Sequence, residues 1–409
     1  MTTDAMRAPT PLPPDGGVVV EAPFVVKASF IAPQEAAAIE PEWASLTADA
    51  TEPNPFYAPA LLIPALAAFA DRKVKIAIVR DERGRLIGLA PFCLMRGYSR
   101  LPVSYLATWM HPHCFFAAPL IRRGREAAAL AALFDLAAGE GVFLRLRHLD
   151  ADGPLAALVR ETSHETGRRC VSSARYARAL LKGGYRTDLE LEAALRGKKR
   201  KELRRLRARL EESGAVAFES LNSQDQLAGW AEDFLTLESA GWKGGAKTAL
   251  SSRKKDRTFF RAAVGRAFDA GLLDFHRLTH DGKTIAMIVN FTEGGAGYSF
   301  KIAYDEAYAR YSPGVMLEIE MMRALERRVG LEFIDSCAAS GHKMIEPLWR
   351  GRRVIEALNI SGKGGAHKLL FRILMKLEQT GETLRRRRKQ AKQPAKKLTK
   401  TKEGAHASL

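Results

Sequence analysis

Apolar positions along the chain switch between a period of two and a period of 3.6, which lays out alternating strands and helices. Residues 74–79 and 86–95 are apolar runs on either side of Asp81-Glu-Arg-Gly84, a hairpin signal with its turn at the centre. Residues 103–109 and 118–121 add two more runs, followed by a helix over 126–138, a strand over 142–149 and a helix over 154–166. The order then recurs, with helices over 189–212, 224–239 and 256–270 and strands over 272–279 and 284–292 around His280-Asp-Gly-Lys283. Residues 298–304 alternate as a strand with two unlike faces, and a polar bend leads to Ser312-Pro313-Gly314. Beyond it Val315, Leu317, Ile319, Met321, Met322, Leu325 and Val329 fall on one helical stripe. Strands over 331–337 and 353–360 follow, and then an amphipathic helix over 366–390. That helix carries Leu369, Leu370, Ile373, Leu374 and Leu377 on one side, with Lys368, Arg372 and Lys376 nearby.

Each half therefore reads hairpin, strand, helix, strand, the pattern of an α/β (mixed α+β) protein. The chain of 409 residues has room for two cores. The expected division is residues 23–180 and 181–360, between a Pro/Gly-rich, aperiodic, disordered segment 1–22 and a basic helix and tail over 361–409. The halves share negligible sequence identity, so the duplication rests on element order alone. The charge of +18 is local. Residues 182–209 hold eleven Lys/Arg against four acidic residues, and 385–402 hold ten against none, so the remainder is near neutral. Four scattered cysteines argue for a reducing compartment and against a disulfide framework or a zinc ribbon. The N-terminus lacks the apolar core of a signal peptide, and the longest apolar run, 58–70, holds two prolines and is too short to span a bilayer. A soluble, cytoplasmic protein is expected.

Ser312 is a good N-cap residue, Pro313 sits where its missing N–H costs nothing, and Gly314 leaves the first turn bare. A strand that runs through a tight turn into such a helix start is a natural anion site, because unpaired amides and the helix dipole point at it. The segment Arg310-Tyr-Ser-Pro-Gly314-Val315 resembles the pyrophosphate-binding turn of GNAT-superfamily acyltransferases, Arg/Gln-x-x-Gly-x-Gly/Ala, with Arg310 and Gly314 one residue further apart. Tyr304-Asp305-Glu306 and Ser312-Pro313-Gly314 are similar to stretches of the GNAT branch that includes cellulose-biosynthesis (CelD-type) acetyltransferases and FemAB-like transferases. The order of elements resembles the tandem GNAT arrangement of FemAB-like enzymes. The resemblance implies two GNAT-like domains in tandem and acyl transfer from acetyl-CoA to an amine or hydroxyl acceptor. It further implies a role in polysaccharide or cellulose biosynthesis. Carried onto this chain, it places the CoA pyrophosphate on Arg310, Tyr311, Ser312, Pro313, Gly314 and Val315, and the pantetheine beside Lys301, Ala303 and Tyr304. In the first half Ile121-Arg-Arg-Gly124-Arg125 stands where the Ser-Pro-Gly turn would be. That half is expected to be degenerate and to shape or cover the acceptor site.

Acyl transfer to an amine also needs a base, an acid for the leaving thiolate and donors for the oxyanion. Asp335 and Cys337 share a strand face, and His342 follows in the next loop; these three are the candidates. A buried, inert Cys337 and a solvated His342 are the competing readings. Trp242 and Lys243 lie in a glycine-rich bend that either lines an acceptor pocket or caps a helix, and Asp305 and Tyr308 are further substrate contacts. His111-Pro-His113-Cys114 lacks a fourth ligand, so no metal is expected. Ser361-Gly-Lys-Gly-Gly365 lacks the P-loop spacing, and no Gly-x-Ser-x-Gly elbow occurs. The basic helix at 198–209 reads as a solvated helix along the domain junction. It also resembles the helix at the equivalent place in FemAB-like proteins, whose donor can be an aminoacyl-tRNA. Two alternatives follow: a tRNA-dependent transferase, and a non-catalytic GNAT-shaped module. The basic stretch Arg385–Lys402 would then touch nucleic acid or an anionic membrane.

Overall fold

The computed structural model describes residues 26–98, 101–241, 245 and 249–391. The expectations for residues 1–22, for Trp242 and Lys243, and for the tail beyond 391 lie outside the described residues. In the first half, strands β1 (Lys27–Ile31), β2 (Val74–Arg80), β3 (Leu86–Tyr98), β4 (Leu101–Thr108), β5 (Leu120–Ile121), β6 (Phe143–Asp150) and β7 (Cys170–Lys182) form the sheet. Helices α1 (Glu40–Ala48), α2 (Pro59–Phe69), α3 (Glu126–Ala138) and α4 (Pro154–Glu165) cover it. The second half runs α5 (Thr187–Ala194), α6 (Gly197–Glu212), β8 (Val216–Ser220), α7 (Gln224–Ala240), α8 (Lys254–Asp269), β9 (Leu273–His280) and β10 (Lys283–Glu293). It continues with β11 (Ala296–Tyr304), α9 (Pro313–Glu326), β12 (Phe333–Asp335), β13 (Gly351–Ser361) and α10 (Gly365–Ala391).

These strands make one continuous mixed sheet in the order β1-β2-β3-β4-β6-β13-β7-β12-β11-β10-β9-β8, with β5 beside β3. The two halves exchange their last strands. β7, from the first half, pairs with β12, and β13, from the second, is inserted between β6 and β7, with Arg353 directly opposite Arg178. The crossing is close: a Cβ on Gly183 would lie 1.9 Å from the Leu331 carbonyl oxygen. The core ignores the half-way point as well, since Phe56 and Phe116 of the first half pack on Tyr298 of the second at 5.6 and 5.5 Å.

The apolar run that is too short for a bilayer is α2, buried along most of its length, as an almost wholly apolar helix must be. No described helix is long and apolar enough to cross a membrane. The helix expected over 189–212 is two helices. Leu195 is extended (φ −111°, ψ 134°) and buried, and the Arg200 guanidinium donates to the Glu192 and Leu195 carbonyls at the break, both at 2.8 Å. The strand expected over 331–337 ends at Asp335, because Cys337 takes a left-handed conformation (φ 52°) and turns the chain away.

Candidate functional site

β11 and β12 run parallel but pair only over Ala296–Tyr298 and Phe333–Asp335. Past that point the β12 side of β11 pairs with no strand among the described residues. On its other side β11 pairs with β10 through a bulge, Lys301 facing Val289 and Ser299 facing Asn290, which leaves Phe300 as the extra residue. The bulge breaks the alternation. Phe300 packs with Phe291 and Phe260, and Lys301 on the same face reaches Glu238 at 3.4 Å. Ile302 and Tyr304 turn to the opposite face, beneath α9.

A 3₁₀ turn over Glu306–Tyr311 joins β11 to α9. It begins at Asp305, whose carboxylate accepts from the Ala307 amide (3.0 Å) and from Lys283 (2.7 Å). Tyr308 lies against Lys283 and His280, so Asp305 and Tyr308 form one cluster. Ser312 occupies the cap position in the left-handed conformation (φ 57°, ψ 52°). Its hydroxyl makes no capping bond, and its carbonyl accepts from Val315 (3.0 Å) and Met316 (3.1 Å). The Arg310 guanidinium stacks 4.8 Å from the Tyr311 ring. A Cβ on Gly314 would sit 3.5 Å from Tyr304 Cδ1, 3.7 Å from Ile302 Cδ1 and 3.6 Å from Met344 Sδ. The bare helix start therefore rests on the open end of β11, with the loop after β12 beside it. The structure brings Arg310 to Val315 together with Tyr304, whereas Lys301 reaches the other face. In the first half, in the segment Ile121-Arg-Arg-Gly124-Arg125, Arg122 is buried and bonds Asp49 (2.9 Å) and the Leu86 carbonyl (3.0 Å).

Asp335, Cys337 and His342 have three different settings. Asp335 is fully buried. One carboxylate oxygen accepts from Arg178 and Arg353, and the other from the Cys337 amide at 2.9 Å. Arg353 also bonds Asp150 (2.8 Å) and Glu52 (3.1 Å) and lies over the Phe116, Tyr298 and Phe333 rings. The pattern is reciprocal, with Arg178 of the first half holding Asp335 of the second and Arg353 of the second holding Asp150 of the first. Burial pushes the Glu52 carboxyl up to about 7, against the opposing pull of Arg353. Burial, with the nearby Asp335 carboxylate, pushes the Cys337 thiol well above its ordinary range. His342 is exposed, two residues before Met344, and its Nδ1 accepts from the Ile345 amide at 3.4 Å.

Sequence reasoning missed a second polar group, on the α7–α8 face of the sheet. His113 Nε2 lies 2.8 Å from Asp256, and its ring stacks on Phe259 at 5.4 Å. His111 stacks on Phe69, and burial pushes its imidazole down to about 3. Glu238, buried at the end of α7, accepts from the Leu250 amide (2.7 Å) and pairs with Lys301. Its signal was in the sequence: Glu238 continues the apolar stripe of Leu227, Ala231, Phe234 and Leu235, where a carboxylate is out of place. No group of three or more metal-binding side chains occurs among the described residues.

A cavity of about 480 Å³ opens between α5, α6 and α9, away from the open edge of β11. Leu191, Leu195, Leu203, Met316 and Ile319 give it an apolar floor. Most of its rim charges are matched, Arg207 with Glu211 and Glu320 and Arg323 with Glu320 and Asp188. Along α6, Lys198, Lys199, Lys201, Arg204, Arg205 and Arg209 are exposed, Arg204 at the cavity's edge.

Residues 197–343 match a family model described as an acetyltransferase (GNAT) domain. No curated protein matches the sequence. A solved structure of a conserved protein of unknown function from Bacteroides thetaiotaomicron VPI-5482 is similar at TM-score 0.52 and 14% identity, over 83% of this chain and 99% of that one. FemX is similar at TM-score 0.51 and 10% identity, over 84% and 99%. The C-terminal domain (DUF2156) of a putative lysylphosphatidylglycerol synthetase from Agrobacterium fabrum follows at 0.50 and 14%, over 83% and 96%. At these identities the likeness is one of fold. It agrees with the expected architecture, a mixed α/β sheet flanked by helices.

Proposed function

We propose that the protein is an acyltransferase that moves an acyl group, acetyl in the first instance, from acyl-CoA to an amine or hydroxyl acceptor. One observation carries this reading: the open edge of β11 ends at the bare first turn of α9. An extended pantetheine arm pairs with such an edge as an added strand would. A pyrophosphate at its end meets the Ser312–Val315 turn, where the α9 dipole favours negative charge, with Arg310 alongside. The donor then lies in the unit 181–360, and the unit 23–180 shapes the acceptor side, where Trp242, Lys243, Asp305 and Tyr308 are the proposed contacts.

The acceptor nitrogen or oxygen attacks the thioester carbonyl and loses a proton, and the thiolate leaves with one. His342 is the proposed base, because it is exposed in the loop that lies against Gly314. Asp335, with both oxygens engaged, sets that loop through the Cys337 amide. A thiol held so strongly protonated favours direct transfer over a Cys337 intermediate. Polysaccharide or cellulose biosynthesis is the setting that the CelD-type resemblance suggests. The exposed cations of α6 favour a second reading, in which the donor is an aminoacyl-tRNA.

Calorimetry with acetyl-CoA on the wild type, Gly314→Ala and Gly314→Trp separates the two. Gly314→Ala places its methyl at ordinary contact distance and keeps binding, whereas the indole of Gly314→Trp fills the turn and abolishes it. No acetyl-CoA binding by the folded wild type would overturn the acyl-CoA reading and direct the same assay to charged tRNA.

A further inference from the structure

We propose that α10 docks the protein on an anionic membrane surface, lying along it rather than crossing it. The inference is independent of the acyl-transfer reading. The rotation of α10 about its axis is fixed by packing. Phe371, Leu374 and Met375 are buried against Tyr98, Tyr105 and Phe143, and Glu378 is held by Tyr98 and Arg145. That seam leaves the opposite side in water, where Leu369, Leu370, Ile373 and Leu377 are 59, 36, 48 and 46% exposed. Single exposed leucines are ordinary, but a row of four large apolar side chains over more than two turns of one helix marks a contact surface.

Charge selects the occupant. Lys368, Arg372 and Lys376, spaced by four, run along the helix beside the apolar row. The one carboxylate between 365 and 381, Glu378, is turned inward onto Arg145. The sequence of the same helix continues as Arg385-Arg-Arg-Arg-Lys389. A second copy pairing through this face would bring cationic rows together, and the one acid among residues 365–381, Glu378, is held by Tyr98 and Arg145 on the other side of the helix. Nucleic acid would meet the cations and leave the leucines in water. An anionic lipid surface meets both, with the apolar row entering the acyl boundary and the cations at the headgroups.

The test is co-sedimentation of the full chain with phosphatidylcholine vesicles, with and without phosphatidylglycerol, at low and high salt. The expected result is binding only to the anionic vesicles, weakened by salt. The double variant Ile373→Asp/Leu377→Asp is expected to bind about tenfold more weakly or worse. Both positions are exposed, so the variant keeps the wild-type circular dichroism. In Ile373→Trp, anionic vesicles shift the indole emission to the blue. Three outcomes would each overturn the proposal: no wild-type binding to anionic vesicles, equal binding by the aspartate variant, or a concentration-dependent dimer that the aspartate variant dissolves.

Discussion

Glu318 is the most exposed to test of the buried groups, because nothing offsets its burial. It lies on the sheet-facing stripe of α9 with 1% of its surface accessible, its Oε1 has no partner, and burial pushes its carboxyl up to about 8. An ordinary glutamate titrates near 4.5. Below that value both folded and unfolded chains hold the proton, and the group costs nothing. Between 4.5 and 8 the unfolded chain releases the proton while the folded chain must keep it, so stability falls as pH rises. At pH 7 the gap is about two and a half pH units, or about 3 kcal/mol. Glu318→Gln keeps the shape and removes the titration. The variant is therefore expected to be more stable than the wild type by about 3 kcal/mol at pH 7, with the difference shrinking to nothing near pH 4.5. Urea unfolding of both proteins across this range measures it. Taking the difference between them cancels Glu52 and Glu293, which burial also pushes up to about 7. A difference that stays constant with pH, or a variant less stable at pH 7, would refute the reasoning.

Two further outcomes follow from the buried charges. Arg353→Met leaves Glu52 and Asp150 without their guanidinium and is expected to cost about 3–5 kcal/mol, partly recovered by adding Glu52→Gln; a loss below about 1 kcal/mol by urea unfolding would mean that the ionic clasp does not hold the halves together. His276 acts in the opposite pH direction to Glu318: burial pushes it down to about 4, so its contribution is intact above pH 6.5 and is lost as pH falls through that range. His276→Phe gives up the Ser220 hydrogen bond but is expected to flatten the decline in stability between pH 6.5 and 4, and an unchanged acid limb would contradict this.

What the sequence made legible was whatever is encoded locally. The helices α3, α7 and α8 carry full apolar stripes, and the hairpins carry turn residues between apolar runs. Ser312-Pro313-Gly314 is local chemistry too, and it marks the helix start, although the left-handed backbone at Ser312 carries its hydroxyl out of capping range. β7 was missed because Arg175 and Arg178 interrupt its period. Asp335, 157 residues away, and the Phe115 carbonyl, 63 residues away, explain a buried arginine there. Arg353 and Glu52 are 301 residues apart, and no window of sequence shows that they meet. The break between α5 and α6 was hidden because Leu195 fits the helical stripe, and its burial and the Arg200 bonds to the freed carbonyls show only in the folded chain.

The exchanged strands bear on the site itself. Two parallel strands that begin in register gain hydrogen bonds by pairing further, so an edge left open beside β11 needs something to hold β12 away from it. β12 is three residues long, and its other side pairs with Leu180–Lys182 of β7. At its end Asp335 is bound to Arg178 and Arg353, both on strands beyond β12. These contacts pull the end of β12 toward the first half, and Cys337 then turns the chain out of the sheet. The opening proposed to take the donor is thus held by residues of both halves, so on the proposed reading the first half takes part in donor binding as well as in shaping the acceptor side. Arg353→Met joins the two claims. Under conditions where the variant is still folded, it is expected to bind acetyl-CoA more weakly than the wild type, although Arg353 lies outside the proposed donor contacts. Equal affinity in the folded variant would show that β12 keeps its place without the clasp.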